Sequence, residues 1–256
     1  MKTFKPHKKS TSVLLTLIFS LLASPGLASD LAKKICGIDE REPSNFAPVA
    51  RLVQSPGNFG CTGTLIGVNC VISAGHCGSF FRYAEFNVPM STEKGKPVAA
   101  AEEDRYPVEE VLGRSNGGDG RDWAVIRLGP NPITGELPGR RQGFLEVSFD
   151  PPHENTFVRI TGYGTDSKRP THTGAQQTAT GYITGVHESS ATLSYSVDTE
   201  PGNSGASIVD ETTGKVIGVH TTGYCSGSGG SNVGTSIAFR EEFRKAIEDC
   251  LGQSGD

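Results

Sequence analysis

The chain has 256 residues, a formal net charge of −4, and 33 glycines and 15 prolines against 35% hydrophobic residues. So many turn formers argue against a helical bundle, and the acidic balance lacks the basic stripe that a nucleic-acid partner requires.

Lys2, Lys5, Lys8 and Lys9 precede an apolar run from Val13 to Leu22, and Gly26-Leu27-Ala28 reads as a cleavage site. Residues 1–28 are therefore read as an export signal, too short and too early for a membrane anchor. Nothing later is apolar for long enough to span a bilayer, so the mature product is expected to be secreted, extracellular or periplasmic, with no membrane contact. Residues 29–34 end in the dibasic Lys33-Lys34 and read as a short pro-segment. The six cysteines of an exported chain suggest disulfides before metal, since no Cys-x-x-Cys or Cys/His cluster has zinc spacing.

Short β-branched or alternating runs follow, punctuated by Gly, Pro and Asn: 49–53, 61–66, 70–73, 81–88, 106–112 and 123–128. They predict the strands of one barrel, at about residues 45–135. Residues 128–144 are turn-rich and read as a crossover. The runs 157–162, 176–183, 191–197, 206–209, 216–221 and 234–238 predict a second barrel at about 145–238. Phe239, Phe243, Ala246, Ile247 and Leu251 recur at helical spacing, which predicts a terminal amphipathic helix over 239–251. The expected fold is all-β, with two packed barrels and one C-terminal helix.

The chemistry concentrates in Glu200-Pro201-Gly202-Asn203-Ser204-Gly205, which follows an apolar run. Glycines on both sides of a serine let the backbone turn sharply and expose it, with neighbouring amides free to converge on an oxyanion. Serine is a weak nucleophile until a base takes its proton and a third group orients the base. His76, at the end of the apolar run through Ile72, and Asp122, at the start of another, are the candidates. The order His, Asp, Ser differs from that of the subtilisin and α/β-hydrolase arrangements, and Ala206 stands where a hydrolase elbow needs glycine.

Ser73-Ala74-Gly75-His76-Cys77, Asp122-Trp123-Ala124-Val125-Ile126 and Gly202-Asn203-Ser204-Gly205 together resemble the chymotrypsin-like (trypsin-fold) serine endopeptidases. The resemblance implies two six-stranded Greek-key barrels within a protease domain over 35–256, protein or peptide substrates, a monomer, and no cofactor or metal. It assigns His76 as base, Asp122 as its orienting carboxylate, Ser204 as nucleophile, and the amides of Gly202 and Ser204 as the oxyanion hole. It also pairs Cys61 with Cys77. Cys36, Cys70, Cys225 and Cys250 allow three pairings; Cys70 with Cys250 and Cys36 with Cys225 are preferred, because they would pin the helix to the first barrel and the new N-terminus beside the pocket.

Ile35-Cys36-Gly37-Ile38-Asp39-Glu40-Arg41 resembles the mature start of the glutamyl endopeptidase branch. Within that branch, His220 and Thr199 match a pocket histidine and a hydroxyl donor for an acidic P1 side chain, with Thr221 beside them. Asp198 points the other way, since a pocket-floor carboxylate six residues before the nucleophile would select Arg or Lys. His220 as a buried support beneath the triad, and a non-catalytic protease-like binder, are the alternatives. Many family members carry aspartate before the nucleophile to pair with a freed amine, and the neutral Asn203 cannot form that ion pair.

Overall fold

The computed structural model describes residues 1–2, 34–78, 81–226 and 229–253. Residues 3–33, most of the expected signal peptide and pro-segment, lie outside them. The chain divides into Met1–Leu31 and Ala32–Asp256, and all that follows concerns the second unit.

After a two-residue strand, β1 (Glu42–Pro43), come β2 (Val49–Val53), β3 (Cys61–Leu65), β4 (Cys70–Ser73), β5 (Tyr83–Glu85), β6 (Arg105–Asn116) and β7 (Asp122–Leu128). β2 to β7 close a barrel in the order β2-β3-β4-β7-β6-β5. The crossover contains a short helix, α1 (Pro138–Gln142), which its Pro-Gly-rich sequence did not suggest. Then follow β8 (Phe157–Gly162), β9 (Gln177–His187), β10 (Thr192–Tyr195), β11 (Ser207–Asp210), β12 (Val216–Thr222) and β13 (Asn232–Ser236). They run β9-β10-β13-β12-β11-β8, and the β8–β9 pairing closes the second six-stranded barrel. The terminal helix, α2 (Glu241–Gln253), starts two residues later than Phe239 predicts. Among the described residues no helix is long and apolar enough to cross a membrane.

Strand alternation builds two cores from one strand. In β7, Ala124, Ile126 and Leu128 fill the first barrel. Trp123 and Val125 face outward, where Val209, Val216 and Val219 of the second barrel and Phe243 and Ile247 of α2 cover them. This is the two-residue period of a strand buried on both faces. The Trp123 and Phe243 rings stack at 5.1 Å. A third cluster, including Val158, Ile160, Leu193, Tyr195 and Ile208, fills the second barrel.

Three disulfides join Cys36 to Cys225, Cys61 to Cys77 and Cys70 to Cys250. The last ties α2 to β4.

One ion pair is wholly enclosed. Arg51 and Glu85 face each other across the β2–β5 register, and both side chains are fully buried. Arg51 donates to Glu85 Oε2 at 2.7 and 3.1 Å and to the carbonyls of Gly174 and Val98. Glu85 Oε1 accepts from the amides of Gly57 and Ala100. A buried charge without its partner is costly, so Glu85→Gln and Arg51→Met should each lower stability by about 3–5 kcal/mol. Joined in one protein, they should cost clearly less than the sum. Denaturant unfolding of the four proteins checks this, and additive losses would show that the charges are not coupled.

Candidate active site

His76 lies in a one-turn 3₁₀ segment, Gly75–Cys77, directly after β4. Gly75 has no room for a side chain, since a Cβ there would fall 1.7 Å from the Ser115 carbonyl oxygen. Close packing of this turn on β6, with the Cys61–Cys77 bridge beside it, fixes where the imidazole leaves the main chain. Asp122, the first residue of β7, is almost completely buried. Its Oδ1 accepts the His76 backbone N–H at 2.8 Å, and its Oδ2 meets His76 Nδ1 at 2.5 Å. Two contacts from one carboxylate hold both the position and the rotation of the ring. The proton then rests on Nδ1, and Nε2 is left as a base. The chain-order neighbours Arg121 and Arg127 form no ion pair with Asp122; Arg127 pairs with Glu110 instead.

Ser204 belongs to the second barrel, in the turn before β11. Its carbonyl accepts from Thr62 N at 2.9 Å, and the Thr62 hydroxyl donates to the Gly202 carbonyl at 2.8 Å. Gly205 has φ +86° and no room for a side chain, since a Cβ would fall 2.2 Å from Ser73 Oγ and 2.3 Å from Thr62 O. The glycine after the serine is therefore required twice, by dihedral and by contact. Among the described residues the Ser204 side chain makes no hydrogen bond, to His76 or otherwise, a common state of such groups before substrate binds. The Gly202 and Ser204 amides likewise have no internal acceptor, whereas the Asn203 amide between them donates to the Glu200 carbonyl. Two unpaired donors around an exposed turn can receive an oxyanion.

Asn203 is buried, and its Oδ1 accepts the Glu200 N–H at 3.1 Å. The turn is thus closed on itself without an ion pair.

Asp198 is held by the N-terminal segment. Its two oxygens accept the backbone N–H groups of Cys36 and Glu40, at 2.7 and 2.8 Å. It anchors the N-terminal segment. Thr199 is buried; its hydroxyl accepts from Asn232 Nδ2 at 3.1 Å, and its N–H meets the Lys34 carbonyl. The Thr221 hydroxyl donates to the Val233 carbonyl.

His220, on β12, clasps the serine turn through its main chain: its carbonyl accepts from Gly205 N and its N–H donates to Ala206 O, both at 2.8 Å. Its ring is buried, with Nδ1 2.6 Å from the Tyr195 hydroxyl. Burial pushes its pKa down to about 3, helped by the nearby Lys34 and His76 charges, so the ring is neutral. Lys34 itself covers this region. A Cβ on Gly223 would lie 2.3 Å from Lys34 Cγ, and the Lys34 carbonyl accepts from Asn232 Nδ2 at 2.8 Å. Thr62, Tyr195 and Asn232 gave no signal in the sequence, where each is a single polar or aromatic residue in a strand.

Cys61, His76 and Cys77 lie close enough together to suggest a metal site. Both sulfurs are in a disulfide, so neither is a thiolate ligand.

The family described as Trypsin matches residues 35–247. A glutamyl endopeptidase of Bacillus licheniformis is 28% identical over 232 residues, 84% of this chain and 68% of that protein. The venom plasminogen activator LV-PA of Lachesis muta muta is 29% identical over 159 residues, and the match spans 58% of its length. Among solved structures, a Glu endopeptidase bound to MPD superposes with a TM-score of 0.65 at 22% identity, covering 86% of this chain and all of that one. The thermostable serine protease AL20 gives 0.62 at 17% identity, over 82% of this chain and all of its own. The chain belongs to the trypsin family and is a serine endopeptidase of the chymotrypsin-like fold.

Proposed function

We propose that this is a secreted endopeptidase in which Ser204 attacks the scissile carbonyl, His76 carries the proton, and Asp122 holds the imidazole, with preference for Glu at P1. The observation that carries the mechanism is the double contact of Asp122 with His76. His76 Nε2 takes the hydroxyl proton as the Ser204–carbonyl bond forms, then returns it to the leaving amine. Water repeats the cycle on the acyl-enzyme. The amides of Gly202 and Ser204 hold the oxyanion, a contribution of roughly 10²–10³ in rate per donor.

Acidic specificity is supported by a neutral, buried His220 near the site and by the withdrawal of Asp198 to the N-terminal amides. The proteins named as glutamyl endopeptidases point the same way. Three disulfides suit an oxidising compartment. Cleavage after Lys34 would free the wall at Gly223 and so open the pocket, without the ion pair that Asn203 cannot make.

Ser204→Ala, His76→Ala and Asp122→Asn should each remove most activity with the fold intact by circular dichroism, because the three act as one unit. A serine variant that kept more than about a hundredth of wild-type kcat would defeat the assignment.

Matched peptides with Glu, Arg, Phe or Ala at P1 should rank Glu first in kcat/KM. A preference for Arg that disappears in Asp198→Ala would establish the trypsin-like alternative.

The pH dependence tests the neutral state of His220. The Glu-to-Ala ratio should stay level between about pH 6 and 9, because His220 is already neutral there and a Glu substrate is already ionised. A ratio that collapses as pH rises would mean that a charged His220 selects the substrate.

A further inference from the structure

Tyr195 ends β10 and is fully buried. Between β10 and β12 runs β13, in which Gly234 pairs with Leu193 on one side and His220 on the other. Residues paired across antiparallel strands share a face, so His220, Gly234 and Leu193 all point into the second barrel, as does Tyr195 two residues beyond Leu193. The packing at Gly234 is close. Nothing larger fits, since a Cβ there would fall 2.4 Å from the Val219 carbonyl oxygen.

The contact is a single hydrogen bond, Tyr195 Oη to His220 Nδ1 at 2.6 Å. Burial holds the phenol well above the usual tyrosine range, and Asp119 adds to the shift, so Tyr195 keeps its proton. Among the described residues that proton has one acceptor, His220 Nδ1. A neutral imidazole carries one proton on one of two nitrogens. With that proton on Nδ1, the phenol would have to turn its own O–H toward a place with no acceptor inside a dry barrel, a costly arrangement. The satisfied arrangement has Tyr195 donating to Nδ1 and the imidazole proton on Nε2. His220 Nε2 has no partner among the described residues, while Lys34 and His76 are near enough to disfavour the ring's charge.

We propose that Tyr195 is a positioning residue for specificity, which locks His220 in the Nε2–H tautomer so that the buried ring offers a hydrogen-bond donor, not an acceptor, to a P1 carboxylate. This rests on His220 lining the pocket, as in the function proposed above. A neutral donor held in this way accepts an anion without an added buried charge. In the other tautomer the same ring would present a lone pair and repel it.

Two measurements test this, one of them independent of activity. In ¹⁵N-histidine-labelled Ser204→Ala protein, the His220 signals, identified by their loss in His220→Gln, should show a protonated Nε2 and an unprotonated Nδ1. A protonated Nδ1 would overturn the proposal, and this result needs no Tyr195 variant to fold. Tyr195→Phe keeps the ring and removes the donor. Its Glu-to-Ala ratio of kcat/KM should fall about 10- to 100-fold, the scale of one lost buried hydrogen bond, with hydrolysis after Ala little changed. An unchanged ratio, or an equal loss on every substrate, would reduce Tyr195 to a packing residue and overturn its role. If the wild type shows no preference for Glu, the acidic P1 reading fails, and the tautomer measurement still decides what Tyr195 does to His220.

Discussion

The structure depends on Thr62, a fully buried residue at the joint between the barrels. Its N–H holds the Ser204 carbonyl, its hydroxyl donates to the Gly202 carbonyl and accepts from Tyr163 N, and its carbonyl accepts from Ser73 Oγ. His76 and Asp122 belong to the first barrel, and Ser204 to the second. The proposed mechanism, with its base and its nucleophile on separate barrels, requires the relative position of the barrels to be set to a fraction of an ångström. Thr62 does this with polar contacts of definite direction, one residue from the Cys61–Cys77 bridge that steadies the histidine turn. The apolar layer under α2 supplies cohesion between the barrels, but apolar contact is non-directional and does not by itself define register.

Much of this was legible in the sequence because the strands obey a short period. Residues 49–53, 70–73 and 157–162 coincide with strands, and the triad candidates stand out through their neighbours. What escaped is of another kind. β6 runs for 12 residues because two register shifts let it bend around the barrel, and such irregularities leave little trace in hydropathy. The direction of the Asp198 side chain was not legible, because spacing along the chain cannot say which way a side chain points. Its partners, Cys36 and Glu40, lie about 160 positions away. Thr62, Tyr195 and Asn232 act through contacts between strands that are not neighbours in sequence, and a lone polar residue in a strand carries no pattern.

The N-terminal segment has exchanged one kind of anchorage for another. Arg41 is buried, paired with Asp39, and donates to the Thr165 carbonyl. Asp198 gathers the amides of Cys36 and Glu40. Asn232 Nδ2 alone reaches the carbonyls of Lys34 and Val197 and the hydroxyl of Thr199. These are contacts to main-chain groups and formed side chains, and none of them needs a free amine. The serine turn is closed by Asn203, and Lys34 packs against Gly223 nearby.

The Cys36–Cys225 bridge has a further consequence for a chain cut after Lys34. The new end would be Ile35, one residue from a covalent crosslink to the loop after β12. An end tethered so closely explores a volume of molecular size, with an effective concentration of at least about millimolar however dilute the protein. Rebinding of that end would be a unimolecular event, insensitive to dilution and to competing peptides. Reducing this one bond would leave the end held by non-covalent contacts alone, those of Asp198 with the Cys36 and Glu40 amides among them.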